Sequence, residues 1–241
     1  MHSEVPEGWQ DCLFGDVVQI DWGDTSVTKK SYTEHGYIAF SAAGGDGHLP
    51  YFDYEKEGVV VSAIGANSGR VFWASGKWSA IKNTMVVFPK NGSSISKFIY
   101  YRAQLDGFWT IGGGAQPFIG LGNARKQKFP LPPLAEQERI AEILTSVDDS
   151  IRATERVIEQ AQRVKRGLME ELLTGGLGSA AIERGEVPEG WDIKKLGEVA
   201  EFQNGFAFKP SDWVQSGKPI IRIQNLNGGN EFNYYDKEID K

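Results

Sequence analysis

The chain has 241 residues, of which 40% are hydrophobic and 12% aromatic, and its formal net charge is −6. This composition is typical of one or two globular domains and excludes an intrinsically disordered protein. The single cysteine, Cys12, excludes a disulfide framework and a cysteine-ligated zinc site, and it favours a reducing compartment. No apolar run approaches the roughly 20 residues of a membrane-spanning helix and no signal peptide is recognised, so we expect a cytoplasmic protein without membrane contact.

The hexapeptide EVPEGW occurs twice, at residues 4–9 and 186–191. The similarity covers the segments 4–20 and 186–202 without gaps, at an offset of 182 residues, and eight of the seventeen positions are identical. A repeat at this distance indicates a module of domain size that is used twice. We expect the second module to be incomplete in this chain.

Residues 16–130 are predicted to be mostly β-structure with irregular connections, which gives an α+β fold class with long loops. Short β-branched and aromatic runs separated by glycine-containing turns are the basis of this prediction. The predicted elements are a strand followed by a glycine-rich loop and aromatic residues at 36–52, a hairpin formed by GVVVSAI (58–64) and RVFWAS (70–75), a strand at 83–89 and a short helix at 96–105.

A long coiled-coil helix is predicted at 135–173, after the proline-rich segment KFPLPP and before Gly175 and Gly176. It would be about 58 Å long, whereas the preceding domain would be about 36 Å across. Positions that are apolar except at Thr154 and Lys165 recur at alternating spacings of four and three residues, which is a heptad seam that another helix must cover. The chain contains no second long helix, so a second molecule is expected to pair with it. The predicted dimerisation residues are Ile140, Leu144, Val147, Ile151, Thr154, Ile158, Ala161, Lys165, Leu168 and Leu172.

These observations predict a first domain at 1–134, the long helix at 135–174, a flexible linker at 175–185 and the start of a second module at 186–241. The first domain carries 12 basic and 12 acidic residues and is therefore neutral. Its charge alone neither establishes nor excludes a nucleic-acid partner.

The sequence has no motif for catalysis or for metal binding. GANSGR (65–70) lacks the Lys-Ser/Thr end of a phosphate-binding loop, and IGGGAQPFIG (111–120) does not connect a strand to a long helix as a dinucleotide site requires. His2, His35 and His48 fit no metal-ligand spacing. We therefore predict no catalytic residue, no metal site and no cofactor.

PLPPLAEQERIAEIL (130–144), its helical continuation and the following VPEGWDIKKLGEVAEF resemble the specificity subunit of type I restriction–modification systems. GVVVSAIGANSGRVF and the Gly-x-Gly-Ala-Gln stretch that ends at Gln116 are similar to the first target-recognition domain of that family. The resemblance implies a non-catalytic protein with two recognition domains, each followed by a long helix. The two helices pair antiparallel, so that the domains face separate halves of a bipartite site on double-stranded DNA.

The resemblance also implies partners. An adenine-specific methyltransferase subunit would hold S-adenosylmethionine, and a restriction motor–nuclease subunit would use ATP and Mg²⁺. This chain is shorter than the family pattern, because it lacks most of a second recognition domain and the second helix. We therefore expect a homodimer joined through the seam at 140–172, and a symmetric, interrupted recognition sequence.

Bases are distinguished in the major groove by side chains such as Arg, Lys, Asn and Gln, and loops suit this role better than buried strands. For each candidate the competing interpretation is an exposed loop residue that does not contact DNA. The predicted DNA-contacting residues are Ser41, Gly44, Gly45, His48, Tyr51, Asn67, Ser68, Arg70, Lys77, Trp78, Lys82, Asn83, Gln116 and Lys126.

Two other functions fit the same sequence features. The first is a protein-interaction adaptor, in which a β-rich module on a coiled-coil stalk binds no DNA. The second is a hydrolase built on the aromatic-rich first domain, which would need a nucleophile–base pair that the sequence does not reveal. Sequence-specific DNA binding together with a methyltransferase partner would separate the specificity subunit from both.

Overall fold

The computed structural model describes residues 5–238. These residues form two compact units that divide after Ala161, within the longest helix. The helices are α1 (Phe14–Val17), α2 (Ser96–Ala103), α3 (Leu121–Arg125), α4 (Leu134–Leu173), α5 (Ser179–Glu183), α6 (Leu196–Val199) and α7 (Ile223–Leu226), with 3₁₀ turns at Lys29–Ser31 and Pro210–Asp212. The strands are β1 (Val18–Trp22), β2 (Tyr37–Ser41), β3 (Gly44–Leu49), β4 (Tyr54–Glu55), β5 (Gly58–Ser62), β6 (Val71–Ala74), β7 (Lys77–Ala80), β8 (Thr84–Pro89), β9 (Lys218–Ile220) and β10 (Asn233–Tyr235).

The first unit is built on two four-stranded sheets. One is antiparallel with the order β1-β8-β5-β6, and the other has the order β3-β2-β7-β4 with a parallel β2–β7 pair. Strand β5 is buried on both faces, which explains its continuous apolar sequence. Val60 packs with Phe40 and Trp78 of the other sheet. Val59 and Val61 belong to the core on the opposite face, which the helices and aromatic residues complete.

The predicted α+β class with one long helix is confirmed. The predicted hairpin is the antiparallel pair β5–β6, the strand predicted at 83–89 is β8, and the helix predicted at 96–105 is α2.

At residues 36–52 the predicted strand is β2, but the prediction of a glycine-rich loop after it is wrong. The glycines form β3, which pairs with β2 across a bulge between Ala39 and Phe40. A Cβ on Gly47 would lie 2.0 Å from Cδ2 of Tyr32, and one on Gly45 would lie 2.8 Å from Cδ1 of Ile38. The glycines therefore make room for neighbouring side chains that lie across the strand, and they do not form a turn.

A buried amide attaches the start of α4 to the first unit. Gln137 is fully buried, and its Nε2 donates hydrogen bonds to the carbonyl oxygens of Pro132 (2.8 Å) and Ser93 (3.0 Å). Its Oε1 accepts a hydrogen bond from the backbone N–H of Ile95 at 3.2 Å. Because a buried polar group is stable only when it is paired, these three bonds fix the position of the helix on the domain.

The part of α4 that follows Asp148 is exposed. The helix has 40 residues and is therefore about 60 Å long. Every residue from 149 to 173 is exposed, including the aliphatic side chains of the predicted seam. Within residues 5–238, no second long helix covers these side chains.

The second unit repeats the local backbone of the first at the EVPEGW segments. Gly8 and Gly190 have the same positive φ of 84°. The N–H of Trp9 donates to the carbonyl of Pro6 at 3.0 Å, and the equivalent bond from Trp191 to Pro188 is 3.1 Å. The four residues of α6 lie 182 positions after those of α1, so the repeated sequence folds into the same turn and helix.

The repeat continues beyond the segment in which the sequences are similar. The 3₁₀ turns at Lys29–Ser31 and Pro210–Asp212 are each followed by a glycine of positive φ, Gly36 (145°) and Gly217 (142°). Each glycine precedes an antiparallel pair, β2–β3 in the first unit and β9–β10 in the second. The second unit thus repeats this order of 3₁₀ turn, glycine and antiparallel pair with little sequence identity.

The flexible linker predicted at 175–185 contains the short helix α5. Thr174 ends α4: its Oγ1 donates to the carbonyl of Glu170 at 2.6 Å and accepts from the N–H of Gly178 at 3.0 Å. This segment is therefore structured by local capping bonds, which the glycine-rich composition does not indicate.

Candidate nucleic-acid interface

One groove of the first unit collects cationic and amide side chains from four loops. It has a volume of about 490 Å³ and is bordered by the 3₁₀ turn after Thr28, the β2–β3 turn, the β5–β6 loop and the β7–β8 turn. Of the predicted DNA-contacting residues it contains Ser41, Asn67, Lys82 and Asn83. Its other polar lining residues are Thr28, Lys29 and Lys30.

The carboxylate of Asp46 organises one wall of this groove. It accepts hydrogen bonds from the Tyr32 hydroxyl (2.8 Å) and from Oγ of Ser41 (2.9 Å), and it pairs with the ammonium group of Lys29. Burial raises the pKa of Asp46, but the hydrogen bonds from these three residues outweigh that effect, and the pKa lies below its ordinary value. Burial and the adjacent carboxylate raise the pKa of Tyr32. Asp46 is therefore ionised and Tyr32 protonated at neutral pH.

Lys30 and Lys82 are two other cationic residues of the groove. Both are exposed, and neither forms a salt bridge within the described part of the chain. Asn83, next to Lys82, adopts a φ of 73°, and its carbonyl accepts the N–H of Ala63 at 2.9 Å. The tight turn at Asn83 thus holds an amide beside an ammonium group, which are the two donor types that recognise bases and phosphates.

The β5–β6 loop holds Asn67 at the edge of the groove through contacts of its neighbours. Oγ of Ser68 donates to the carbonyls of Gly65 (2.7 Å) and Pro117 (2.9 Å), so Ser68 fixes the loop. The guanidinium of Arg70 lies 3.4 Å from Oδ1 of Asn67 and above the ring of Phe72, 5.9 Å from its centroid. Arg70 is exposed at the rim of this loop.

The structure corrects the interface prediction at residues that pack inside the domain. Trp78 is fully buried, and its indole N–H donates to the carbonyl of Lys56 at 2.7 Å, so it belongs to the core. Ser41 is also buried, and its hydroxyl is used by Asp46. Gly44 is buried against the ring of Phe72. All three residues are therefore buried in the first unit.

The remaining predicted residues are exposed but do not line the groove. Lys77 lies 3.6 Å from the carboxylate of Glu55 and above the ring of Phe52, at 4.8 Å from its centroid. The others in this group are Gly45 and His48 on β3, Tyr51 after it, Gln116 in the loop before Phe118, and Lys126 at the end of α3.

Sequence reasoning missed three residues that the structure places in the groove or at the start of α4. Lys29 and Lys30 were available as an adjacent basic pair, but only the fold brings them next to Asn67 and Lys82. Gln137 is part of the motif that carries the family resemblance, and its buried position at the domain–helix junction is evident only in three dimensions.

Except for the first of them, Ile140, the predicted dimerisation residues form one exposed stripe along α4. Ile140 is partly buried and packs against the core of the first unit. The other aliphatic positions from Leu144 to Leu172 are 38–70% exposed. Thr154 satisfies its own hydroxyl by donating to the carbonyl of Ser150 at 2.8 Å, so it adds no unpaired polar group to the stripe.

A metal site and a membrane-spanning helix were both sought within residues 5–238, and neither was found. These residues contain no group of three His, Cys, Asp or Glu side chains that could hold a metal ion. They also contain no helix that is both long enough and apolar enough to cross a membrane.

A family model described as the type I restriction modification DNA specificity domain matches residues 6–163. The chain belongs to this family. Residues 6–163 therefore belong to a specificity domain of the family that the sequence resembles. The MjaVIII specificity subunit of Methanocaldococcus jannaschii is 28% identical over 261 aligned positions, which cover 96% of this chain and 59% of that protein. The EcoKI specificity subunit of Escherichia coli is 31% identical over 106 positions, covering 42% of this chain and 23% of the relative.

Solved structures of the same kind of subunit share the fold. The specificity subunit from M. genitalium superposes with a TM-score of 0.60 at 17% identity, over 100% of this chain and 64% of that one. A structure described in terms of the assembly of a type I restriction–modification complex gives a TM-score of 0.54 at 19% identity, over 73% of this chain and 48% of its own. The chain thus spans between 48% and 64% of the length of the MjaVIII subunit and of these two solved chains.

Proposed function

We propose that the first unit reads one half of a bipartite DNA site, with the groove between Lys30, Asn67, Lys82 and Asn83 as its contact surface. The observation that supports this is the convergence of two amides and unpaired cations from separate loops on one face. Amides discriminate base edges, whereas cations bind phosphates without regard to sequence. The chain supplies recognition only, and an adenine methyltransferase subunit and a motor–nuclease subunit supply S-adenosylmethionine and ATP-dependent chemistry.

Substitutions in the groove test this assignment by separating the two kinds of contact. Lys82→Ala should weaken binding to all sequences and reduce the salt slope by about 0.9, because one phosphate contact is lost. Asn83→Gly removes the amide and keeps the positive φ of this position, so it should change the recognised sequence at one position, with a loss of discrimination of about 1–3 kcal/mol.

The measurement is DNA binding as a function of salt, together with methylome sequencing of cells that express the chain with its methyltransferase. Lys90→Ala is the matched control, because Lys90 is exposed on the first unit but lies outside the groove. Equal effects of Lys82→Ala and Lys90→Ala would remove the groove as the contact surface.

We also propose that two copies of the chain pair through α4 in antiparallel orientation. The spacing of the stripe is the same in both directions, so an antiparallel pair sets Leu144 against Leu168 and Ile151 against Ala161 of the second copy. Burying each aliphatic side chain of the stripe stabilises the pair by about 1–2 kcal/mol. The recognition domains of the two copies would then face the two halves of a symmetric DNA site. The second copy would take the place of the second recognition domain of a full subunit.

Two exposed alanines of α4, one on the stripe and one outside it, give a matched test of this dimer. Ala161→Asp puts a carboxylate into the apolar interface of each copy and should weaken dimerisation by at least about 30-fold, because burying a charge is costly. Ala153→Asp makes the same change outside the stripe and should leave the dimer intact. Sedimentation equilibrium measures both, and a dimer that tolerates Ala161→Asp would contradict the pairing.

A further inference from the structure

An open apolar groove lies beside the start of α4 in the first unit. It has a volume of about 470 Å³, and its lining includes Pro6, Trp9, Leu105, Ile140 and Leu144. Its walls are mainly hydrocarbon, and no described residue of the first unit fills it. An apolar surface of this kind next to an exposed helical stripe indicates a binding site for another apolar segment.

The second unit shows what the EVPEGW segment packs against. There Pro188 and Trp191 lie directly on Gly175, at the end of α4. A Cβ built on Gly175 would be 2.3 Å from Cγ of Pro188 and 3.7 Å from Cζ2 of Trp191, so only glycine allows this approach. Pro6 and Trp9, which are the same residues of the first repeat, have no such helix end within the described part of the first unit.

The antiparallel pairing brings a helix end to the open groove. If Ile140 of one copy lies opposite Leu172 of the other, the residues after Leu172 extend past the start of the first α4. They therefore reach the surface that contains Pro6 and Trp9. Ile140 and Leu144 belong both to this groove and to the stripe, so the two surfaces are continuous.

We infer that the two EVPEGW segments compete for the same helix end. Within one chain, Pro188 and Trp191 cover Gly175. In the dimer, Pro6 and Trp9 of the second copy take that place, and the start of the second module is displaced. The argument is that one glycine at one helix end accommodates one copy of the hexapeptide, and both copies have the same local backbone. This inference depends on the proposed antiparallel dimer. It adds a contact between Trp9 of one copy and the helix end of the other, with Trp191 as the competitor for that contact.

Two matched tryptophan substitutions give effects of opposite sign. Trp9→Ala removes an anchor of the intermolecular contact and should raise the dimer dissociation constant by about tenfold or more. Trp191→Ala weakens the internal competitor, so a larger fraction of chains has an uncovered helix end. The dimer dissociation constant should fall by the same factor by which that fraction rises. Sedimentation equilibrium of the full-length chain measures both, and an unchanged or raised constant for Trp191→Ala would overturn the competition.

Cross-linking tests the contact without altering either tryptophan. Leu105 and Leu172 are both exposed. Leu105→Cys with Leu172→Cys should fold normally in a Cys12→Ser background, because serine keeps a donor for the carbonyl of Phe129. A short bismaleimide should join two copies through these positions, whereas Leu105→Cys with Ala153→Cys should give no cross-linked dimer. A cross-link within one chain would overturn the inference.

The seam variant separates failure of this inference from failure of the dimer. If Ala161→Asp disrupts a dimer that neither cross-links at the groove nor responds to Trp191→Ala, the antiparallel pairing stands and the competition is wrong. If the wild-type chain and Trp191→Ala are both monomers at all concentrations tested, the dimer and the competition are both wrong.

Discussion

The repeats at α1 and α6 have the same backbone and opposite environments. Phe14 of α1 is 0% exposed and packs against the rings of Phe108, Trp109 and Phe129 at 5.1–5.7 Å between centroids. Leu196, the equivalent residue of α6, is 69% exposed. The comparison shows that a turn and a short helix form from local sequence, whereas their burial requires strands and loops that follow much later in the chain.

The largest expected effect comes from removing the equivalent apolar side chain in each repeat. Phe14→Ala should lower the free energy of unfolding of the first unit by about 3–5 kcal/mol, since it leaves a cavity among three aromatic rings. Leu196→Ala should change stability by less than about 0.5 kcal/mol, because its side chain is already in water. Urea-induced unfolding followed by tryptophan fluorescence measures both, and a large loss for Leu196→Ala would show that α6 is covered in solution.

The same contrast can be tested along α4 with two glutamines. Gln137→Leu should destabilise the first unit by about 2–4 kcal/mol, because the N–H of Ile95 and the carbonyls of Ser93 and Pro132 lose a buried partner. Gln160→Leu lies on the exposed part of the helix and should have an effect below about 0.5 kcal/mol. Thermal unfolding by circular dichroism compares the two, and similar melting temperatures would mean that the buried amide does not anchor the helix.

The smallest effect should be equal in the two repeats. Gly8 and Gly190 have the same φ of 84°, and a Cβ at either position would meet no atom within 4 Å. Alanine at each should therefore cost only the backbone strain, about 1 kcal/mol. Hydrogen exchange of the Trp9 and Trp191 amides should accelerate by about fivefold in the respective variants. An unequal change would indicate that the two turns differ in ways that their dihedral angles do not reveal.

The elements that sequence predicted correctly are those with a strong local signal. The hairpin β5–β6, strand β8 and helix α4 have continuous apolar runs or a heptad pattern, and such patterns depend on near neighbours. The glycine-rich stretch 44–49 was interpreted as a loop because glycine usually marks turns. The stretch is a strand, and the side chains of Tyr32 and Ile38 occupy the space above its glycines. Neither residue is a near neighbour of these glycines in the sequence.

The candidate interface was less predictable than the fold. Asn67, Lys82 and Asn83 were identified as polar residues of loops, and they meet in one groove. Trp78 was also predicted to contact DNA, but aromatic residues are common both in cores and in interfaces. Its indole N–H donates to the carbonyl of Lys56, which shows that the side chain belongs to the core. Lys29 and Lys30 were missed because they lie far from the other basic residues in the chain.

The sequence by itself determined the repeated module, the periodicity of the long helix and the family, since each depends on residue identity at fixed spacings. Only the tertiary structure decided which side chains are buried, which loops share a groove, and that the second EVPEGW segment covers Gly175. The physical reason is that burial depends on residues that are distant in the chain and close in space, whereas turns and helical periodicity depend on a few consecutive residues.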